Sequence, residues 1–130
     1  MAKEQALPAV ETRLYINGKW VEGSEGTKPV TNPATGETLV EVHVGGEKEV
    51  HAAIEAANNA FPEWSRTSAA ERAKLMNKMA DLVEEDADRL ATIMTMEQGK
   101  PLTQAKGEIQ TNVENLRWNA AEGQRLLGEI

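Results

Sequence analysis

The chain has 130 residues and a formal net charge of −7, from 14 Lys and Arg against 21 Asp and Glu. That length suits one domain with a modest core, and an acidic balance without clustered cations excludes a nucleic-acid surface. With no cysteine, the chain can hold no disulfide, thiolate metal site or thiol nucleophile.

Residues 1–12, with Pro8 and no periodicity, read as a flexible lead-in. The first element is a hairpin, because Leu14-Tyr15-Ile16 and Lys19-Trp20-Val21 flank Asn17-Gly18, the pair that suits positive φ at both central turn positions. Gly23-Ser24-Glu25-Gly26 marks a loop. A second extended pair follows, with Lys28-Pro29-Val30-Thr31 and residues 38–44 joined by the turn Asn32-Pro33-Ala34-Thr35-Gly36. Val40, Val42 and Val44 alternate with Glu41 and His43, which predicts one buried and one wet face. Pro29 and Pro33 cannot donate to a ladder and suit an edge.

After Gly45-Gly46 the period changes to 3.6. Val50, Ala53, Ile54, Ala57 and Phe61 form the apolar stripe of a helix that Pro62 is expected to stop. A capping box, Ser68 with Glu71, opens the next helix, whose stripe is Leu75, Met76, Met79, Leu82 and Val83. The acidic run Glu84-Glu85-Asp86 marks a break. A short helix with Leu90, Ile93 and Met94 runs to Gly99, a C-terminal cap, and Pro101 starts the last helix. That helix carries Leu102, Ala105, Ile109, Val113, Leu116, Ala120 and Leu127 on one side, with Gly128 as terminator.

The order is therefore α+β: hairpins over 14–44, then helices at about 47–61, 68–84, 87–98 and 101–127. No strand alternates with the helices, so the chain contains no complete βαβ unit. No apolar run approaches the ~20 residues of a bilayer crossing, and no apolar segment follows Met1-Ala2-Lys3-Glu4-Gln5. A cytoplasmic protein without membrane partners is expected.

Few residues offer chemistry. His43 and His51 have neither ligand spacing nor a Ser or Cys partner and read as surface histidines. Gly45-Gly46 lacks the spacing of a phosphate loop, and Glu47 and Glu49 would repel a phosphate; a plain strand-to-helix turn is the reading. Met76, Met79, Met94 and Met96 read as core filling. In Glu97-Gln98-Gly99-Lys100-Pro101, capping and helix-dipole effects account for Gly99, Lys100 and Pro101, but not for Glu97. On the last helix, Thr111, Asn115 and Trp118 point opposite to the Ile109, Val113, Leu116 and Ala120 stripe. A tryptophan there indicates a helix used on both sides, with this face lining an interface or cavity.

Four motifs together resemble the start of an aldehyde dehydrogenase. They are Tyr15-Ile16-Asn17-Gly18-Lys19-Trp20; Asn32-Pro33-Ala34-Thr35-Gly36-Glu37; Ala52-Ala53-Ile54-Glu55-Ala56-Ala57 with Phe61 and Trp64; and Glu97-Gln98-Gly99-Lys100-Pro101-Leu102. Their order and spacing cover about residues 13–128. The last motif, with Lys106-Gly107-Glu108-Ile109, is most similar to the succinate-semialdehyde dehydrogenase branch.

The resemblance implies the first part of the α/β aldehyde dehydrogenase fold, without its dinucleotide-binding sheet. The family oxidises aldehydes to carboxylates with NAD or NADP, through a cysteine thiolate and a glutamate that activates water. In the family these groups, and those that hold the dinucleotide, lie beyond the segment matched here. No catalytic or cofactor-binding residue is therefore carried over, and the chain alone is expected to be inactive and to bind no cofactor. Two lesser roles transfer. The helix after Gly99-Lys100-Pro101 borders the substrate tunnel, which makes Thr111, Asn115, Trp118 and Asn119 tunnel residues; the succinate-semialdehyde branch usually has aromatics near positions 111, 115 and 119. Glu97, with main-chain carbonyls near Val30 and Thr31, matches a monovalent-cation site. The family's dimers and tetramers form through a strand pair beginning near or after Ile130.

Two readings follow. In the first, the chain is an amino-terminal fragment whose partner is the remainder of the enzyme chain or another subunit, with a small aldehyde as substrate. In the second, it is a free-standing, non-catalytic scaffold or interaction module derived from the family.

Overall fold

The structure is a computed structural model that describes residues 6–125. It contains two antiparallel hairpins followed by four helices. These divide into two compact units: one runs to Arg66 and includes Met96–Gly99, and the other comprises Thr67–Thr95 and the chain from Lys100 onward.

In the first unit, β1 (Leu14–Ile16) pairs with β2 (Lys19–Val21) in the register Leu14↔Val21, Tyr15↔Trp20 and Ile16↔Lys19. Asn17 and Gly18 both have positive φ, 50° and 74°, so the turn matches the right-handed twist of its strands. Across this hairpin the Tyr15 and Trp20 rings meet with centroids 4.7 Å apart. β3 (Thr27–Thr31) pairs with β4 (Thr38–His43), and their register shifts between Val30 and Thr31. Leu39 is the extra residue, since Val30 faces Val40 while Thr31 faces Thr38. The turn between them is held by Asn32, whose Oδ1 accepts from the Ala34 N–H at 2.9 Å and whose N–H donates to the Glu37 carbonyl at 2.9 Å.

The expected in–out alternation of β4 is broken. Leu39 and Val40 are both half-buried, as are Val42, His43 and Val44. The bulge accounts for the first pair. A neighbouring segment accounts for the second: the Thr12 carbonyl accepts from the His43 N–H at 3.0 Å, and the Gly23 N–H reaches His43 Nδ1 at 3.4 Å. His43 is thus half-buried and bonded rather than a surface histidine, whereas His51 is exposed beside Glu47.

α1 (Glu47–Trp64) packs on β1 and runs three residues past the expected stop, with Pro62 inside its last turn. A proline there forfeits a single backbone bond and keeps a helical φ. The end is closed instead by the Ser65 N–H on the Phe61 carbonyl at 2.8 Å and by Arg66 Nε on the Pro62 carbonyl at 2.7 Å. The stripe expected to face a core does not: Val50, Ile54 and Phe61 are exposed, and the buried residue of α1 is Glu49.

The second unit is helical. α2 (Ala69–Glu85) packs along α4 (Leu102–Glu122), and α3 (Ala87–Gln98) joins them after the break at Asp86. Ser68 Oγ accepts from the Glu71 N–H at 3.1 Å, while the Glu71 carboxylate turns to Lys74, 3.7 Å away; only the serine arm of the box holds the helix start. Fully buried positions are mostly alanines, Ala80, Ala91 and Ala105 among them, with Val113 and Ile109 as the larger members. Val83, Ala87, Leu90 and Met94 pack around Ala91, Ala105 and Ile109. Methionine contributes less than its count implied, since Met79 is exposed. Leu75, Leu82 and Leu102, read as core-facing, are exposed as well.

α4 ends at Glu122 with Gly123 as its cap, earlier than the expected 127. The Gly123 N–H bonds the Asn119 carbonyl at 2.9 Å, and the Arg125 N–H turns back to the Glu122 carbonyl at 2.9 Å, which closes the helix. Leu127, Gly128 and the element expected near Ile130 lie outside the described residues.

Candidate functional site

The last helix carries two unlike faces. Ala105, Ile109, Val113 and Ala120 are buried at spacings of four, four and seven residues, the stripe of a helix laid against a partner. On the opposite side Thr111, Asn115 and Trp118 are exposed, Trp118 at 64%, and Asn119 is exposed on the flank between the two faces. Thr111 Oγ1 donates to the Gly107 carbonyl at 2.9 Å, and Asn119 Nδ2 to the Asn115 carbonyl at 2.7 Å. Both bonds run along the helix and hold the side chains flat against it. Gly107 sits on this face, and a Cβ built there would meet nothing within 4 Å. The face is therefore shallow beside Gly107 and rises at Trp118. It is a polar strip ending in one large aromatic ring.

Ion pairs also connect α4 to α2 and α3 at the surface. Arg117 Nη2 lies 2.6 Å from Glu84 and 3.1 Å from Asp81, both on α2, and Lys106 Nζ lies 2.6 Å from Asp88. Hydrogen bonds to Glu84 and then Asp81 raise the Arg117 pKa above its usual value. Sequence patterning did not reveal the Arg117 pairs, because partners more than 30 residues apart leave no periodic signal.

Glu97 is exposed near the end of α3; on β3, Val30 is half-buried and Thr31 exposed. Among the described residues no three His, Cys, Asp or Glu side chains cluster as a metal site would require. Gly99 ties this region together: its φ of 76° closes α3, and a Cβ on it would lie 2.8 Å from Pro33 Cγ. Two independent reasons therefore demand glycine there.

The Gly45-Gly46 helix start holds an anion of its own. Glu49 Oε2 accepts from Ser24 Oγ at 2.6 Å, from the Gly46 N–H at 2.9 Å and from the Ser24 N–H at 3.4 Å. These bonds, the Ser24 hydroxyl first and the Gly46 amide next, lower the Glu49 pKa despite the opposing effect of burial. The carboxylate takes up the Ser24 hydroxyl and the Gly46 amide, so neither of those donors is left for an external anion. Sequence reading treated Glu49 as a repelling charge and missed its bonding role; Glu at the third helical position was the available signal.

A match to the aldehyde dehydrogenase family extends over residues 20–130. The chain belongs to that family. Within it, the chain is 45% identical over 118 residues to an NADP-dependent succinate-semialdehyde dehydrogenase of Escherichia coli, an alignment covering 90% of this chain and 24% of the relative. It is also 45% identical over 118 residues to a glutarate-semialdehyde dehydrogenase of Pseudomonas putida, covering 90% and 25%. The betaine aldehyde dehydrogenase of Staphylococcus aureus, solved with NAD+, superposes with a TM-score of 0.88 at 30% identity, over 92% of this chain and 24% of that one. The chain thus spans about a quarter of the length of the relatives it matches, and its hairpins and helices match the amino-terminal region of their fold.

Proposed function

We propose that this chain is the supporting amino-terminal layer of an NAD(P)-dependent enzyme that oxidises a semialdehyde to the corresponding diacid. The observation that carries this is the 45% identity, over nine-tenths of the chain, to relatives named for succinate and glutarate semialdehydes. Those substrates share a carboxylate at the end remote from the aldehyde. Thr111, Asn115, Trp118 and Asn119 form one wall of the tunnel, where the side-chain amide N–H groups of Asn115 and Asn119 can donate to that carboxylate and the indole excludes water. Glu97, with the Val30 and Thr31 carbonyls, holds a structural monovalent cation. The complete enzyme is a cytoplasmic oligomer, and its dinucleotide, reactive cysteine and glutamate base are supplied by residues this chain does not contain.

The test is a chimera in which this chain replaces the matched segment of the Escherichia coli relative. Expected is aldehyde-dependent NAD(P)H formation by the chimera and none by the 130-residue chain alone. Trp118→Ala and Asn115→Ala should raise KM for the semialdehyde on the order of tenfold, with kcat less affected. A soluble chimera without activity would favour the non-catalytic module instead.

A further inference from the structure

The turn of the first hairpin sets one asparagine apart from the others. Asn17 and Gly18 form the two-residue loop between β1 and β2, both exposed, with φ of 50° and 74°. In such a loop the strand bonds run between Ile16 and Lys19, so the Gly18 N–H lies outside the ladder. A Cβ built at Gly18 would meet nothing closer than Tyr15 Oη, 4.0 Å away, so the turn is open to water on that side. The Asn17 side-chain amide makes no hydrogen bond among the described residues. By contrast Asn32 Oδ1 accepts from the Ala34 N–H, and Asn119 Nδ2 donates to the Asn115 carbonyl. The other asparagines also lack a free neighbouring N–H. Asn32 precedes Pro33, which has none. Asn58, Asn59, Asn77, Asn112, Asn115 and Asn119 lie inside α1, α2 and α4, where the following N–H is bound to a carbonyl one turn back.

We propose that Asn17 is a site of spontaneous deamidation in the folded chain, and that the change opens the first hairpin. The Gly18 nitrogen, deprotonated by hydroxide, attacks Asn17 Cγ. The N–Cγ bond forms, the Cγ–Nδ2 bond breaks, and Nδ2 leaves as ammonia with a proton taken from water. Glycine favours the attack, because no Cβ at position 18 hinders the approach. Water then hydrolyses the cyclic succinimide at either carbonyl. Opening at Cγ gives aspartate; opening at the main-chain carbonyl gives isoaspartate, whose backbone runs through Cβ and Cγ and is longer by one carbon. The net change is amide and water to carboxylate and ammonium, with no oxidant or reductant. Aspartate tolerates positive φ and keeps the two-residue loop. Isoaspartate does not, because the register of a hairpin depends on the length of its loop. Ile16 then no longer faces Lys19, nor Tyr15 Trp20.

The test incubates the 130-residue chain at mildly alkaline pH and samples it over time. Trypsin, cutting after Arg13 and Lys19, releases Leu14–Lys19 with Asn17 as its single asparagine, and mass spectrometry follows the amide. The Tyr15 and Trp20 rings stand 4.7 Å apart, so near-ultraviolet circular dichroism reports closure of the hairpin. Expected is a closed hairpin at the start, then amide loss at Asn17 at least about tenfold faster than at any helical asparagine, with aspartate and isoaspartate both formed. An open hairpin at the start overturns the proposal, which requires the folded turn. A smaller ratio overturns it too; if unfolding in urea then restores fast loss, the turn protects the amide instead of exposing it. The ring signal should fall in step with the isoaspartyl fraction and persist in Asn17→Asp. A signal that survives in isoaspartyl protein, or that is lost equally in Asn17→Asp, overturns the opening of the hairpin by a longer backbone.

Discussion

Single residues in this chain are constrained mainly by how closely backbone approaches backbone. Gly23 is the sharpest case, since a Cβ there would lie 2.1 Å from the Val44 carbonyl oxygen. We expect Gly23→Ala to destabilise the chain by about 1–3 kcal/mol in urea titration, because a backbone atom rather than a flexible side chain must move. Glu49 sets a pH dependence. Its folded pKa lies below the ordinary 4.5, so its contribution is fully present above that value and disappears as pH falls through the lower folded pKa. Stability measured by denaturation should therefore decline on acidification from about pH 4.5. Glu49→Gln should flatten part of that decline, leaving the share of Glu11 and Asp86, whose pKa values are lowered by Arg13 and Arg89. Equal slopes for wild type and variant would remove Glu49 from the account. The sequence announced the Asn17-Gly18 turn because its chemistry is local. It concealed the Gly23 approach, which depends on Val44 twenty-one positions away.

At the level of elements, helix starts were legible and helix packing was not. Ser68 caps α2 as its residue type predicts, and Ser68→Ala should cost about 1 kcal/mol of thermal stability. Alanine carries little information in a hydropathy pattern, yet Ala91 and Ala105 are fully buried at the centre of the second unit. Small side chains let helix backbones approach closely, so larger ones find no space. Ala105→Leu should accordingly destabilise by about 1–3 kcal/mol, read as a lower midpoint at unchanged m-value. Pattern reading chose Leu75, Met79 and Leu82 as core because they are large; they are exposed because the buried side of α2 is set by Ala73 and Ala80 against α4. Pro62 misled for a related reason, since a proline rule written for helix interiors relaxes in a last turn.

For the whole molecule, the exposed seam of α1 and the exposed leucines of α2 predict a chain that is poorly covered by itself. The isolated 130-residue protein should bind a hydrophobic dye such as ANS, and Phe61→Asp should reduce that signal while leaving helical circular dichroism intact. Unchanged dye binding would indicate that the seam is already covered. Among the described residues no helix is long and apolar enough to cross a membrane. By itself the sequence determined the order of elements, the two hairpin turns, the Ser68 cap of α2, the Gly99 end of α3 and membership of the family, because each rests on local residue chemistry or on motifs in fixed order. Only the tertiary structure decided which side of each helix is buried, that Glu49 bonds across the Gly45-Gly46 turn to Ser24, and that Arg117 pairs with Asp81 and Glu84 of α2. Those depend on residues brought together from distant positions, where burial follows available space rather than the hydrophobicity of any one side chain.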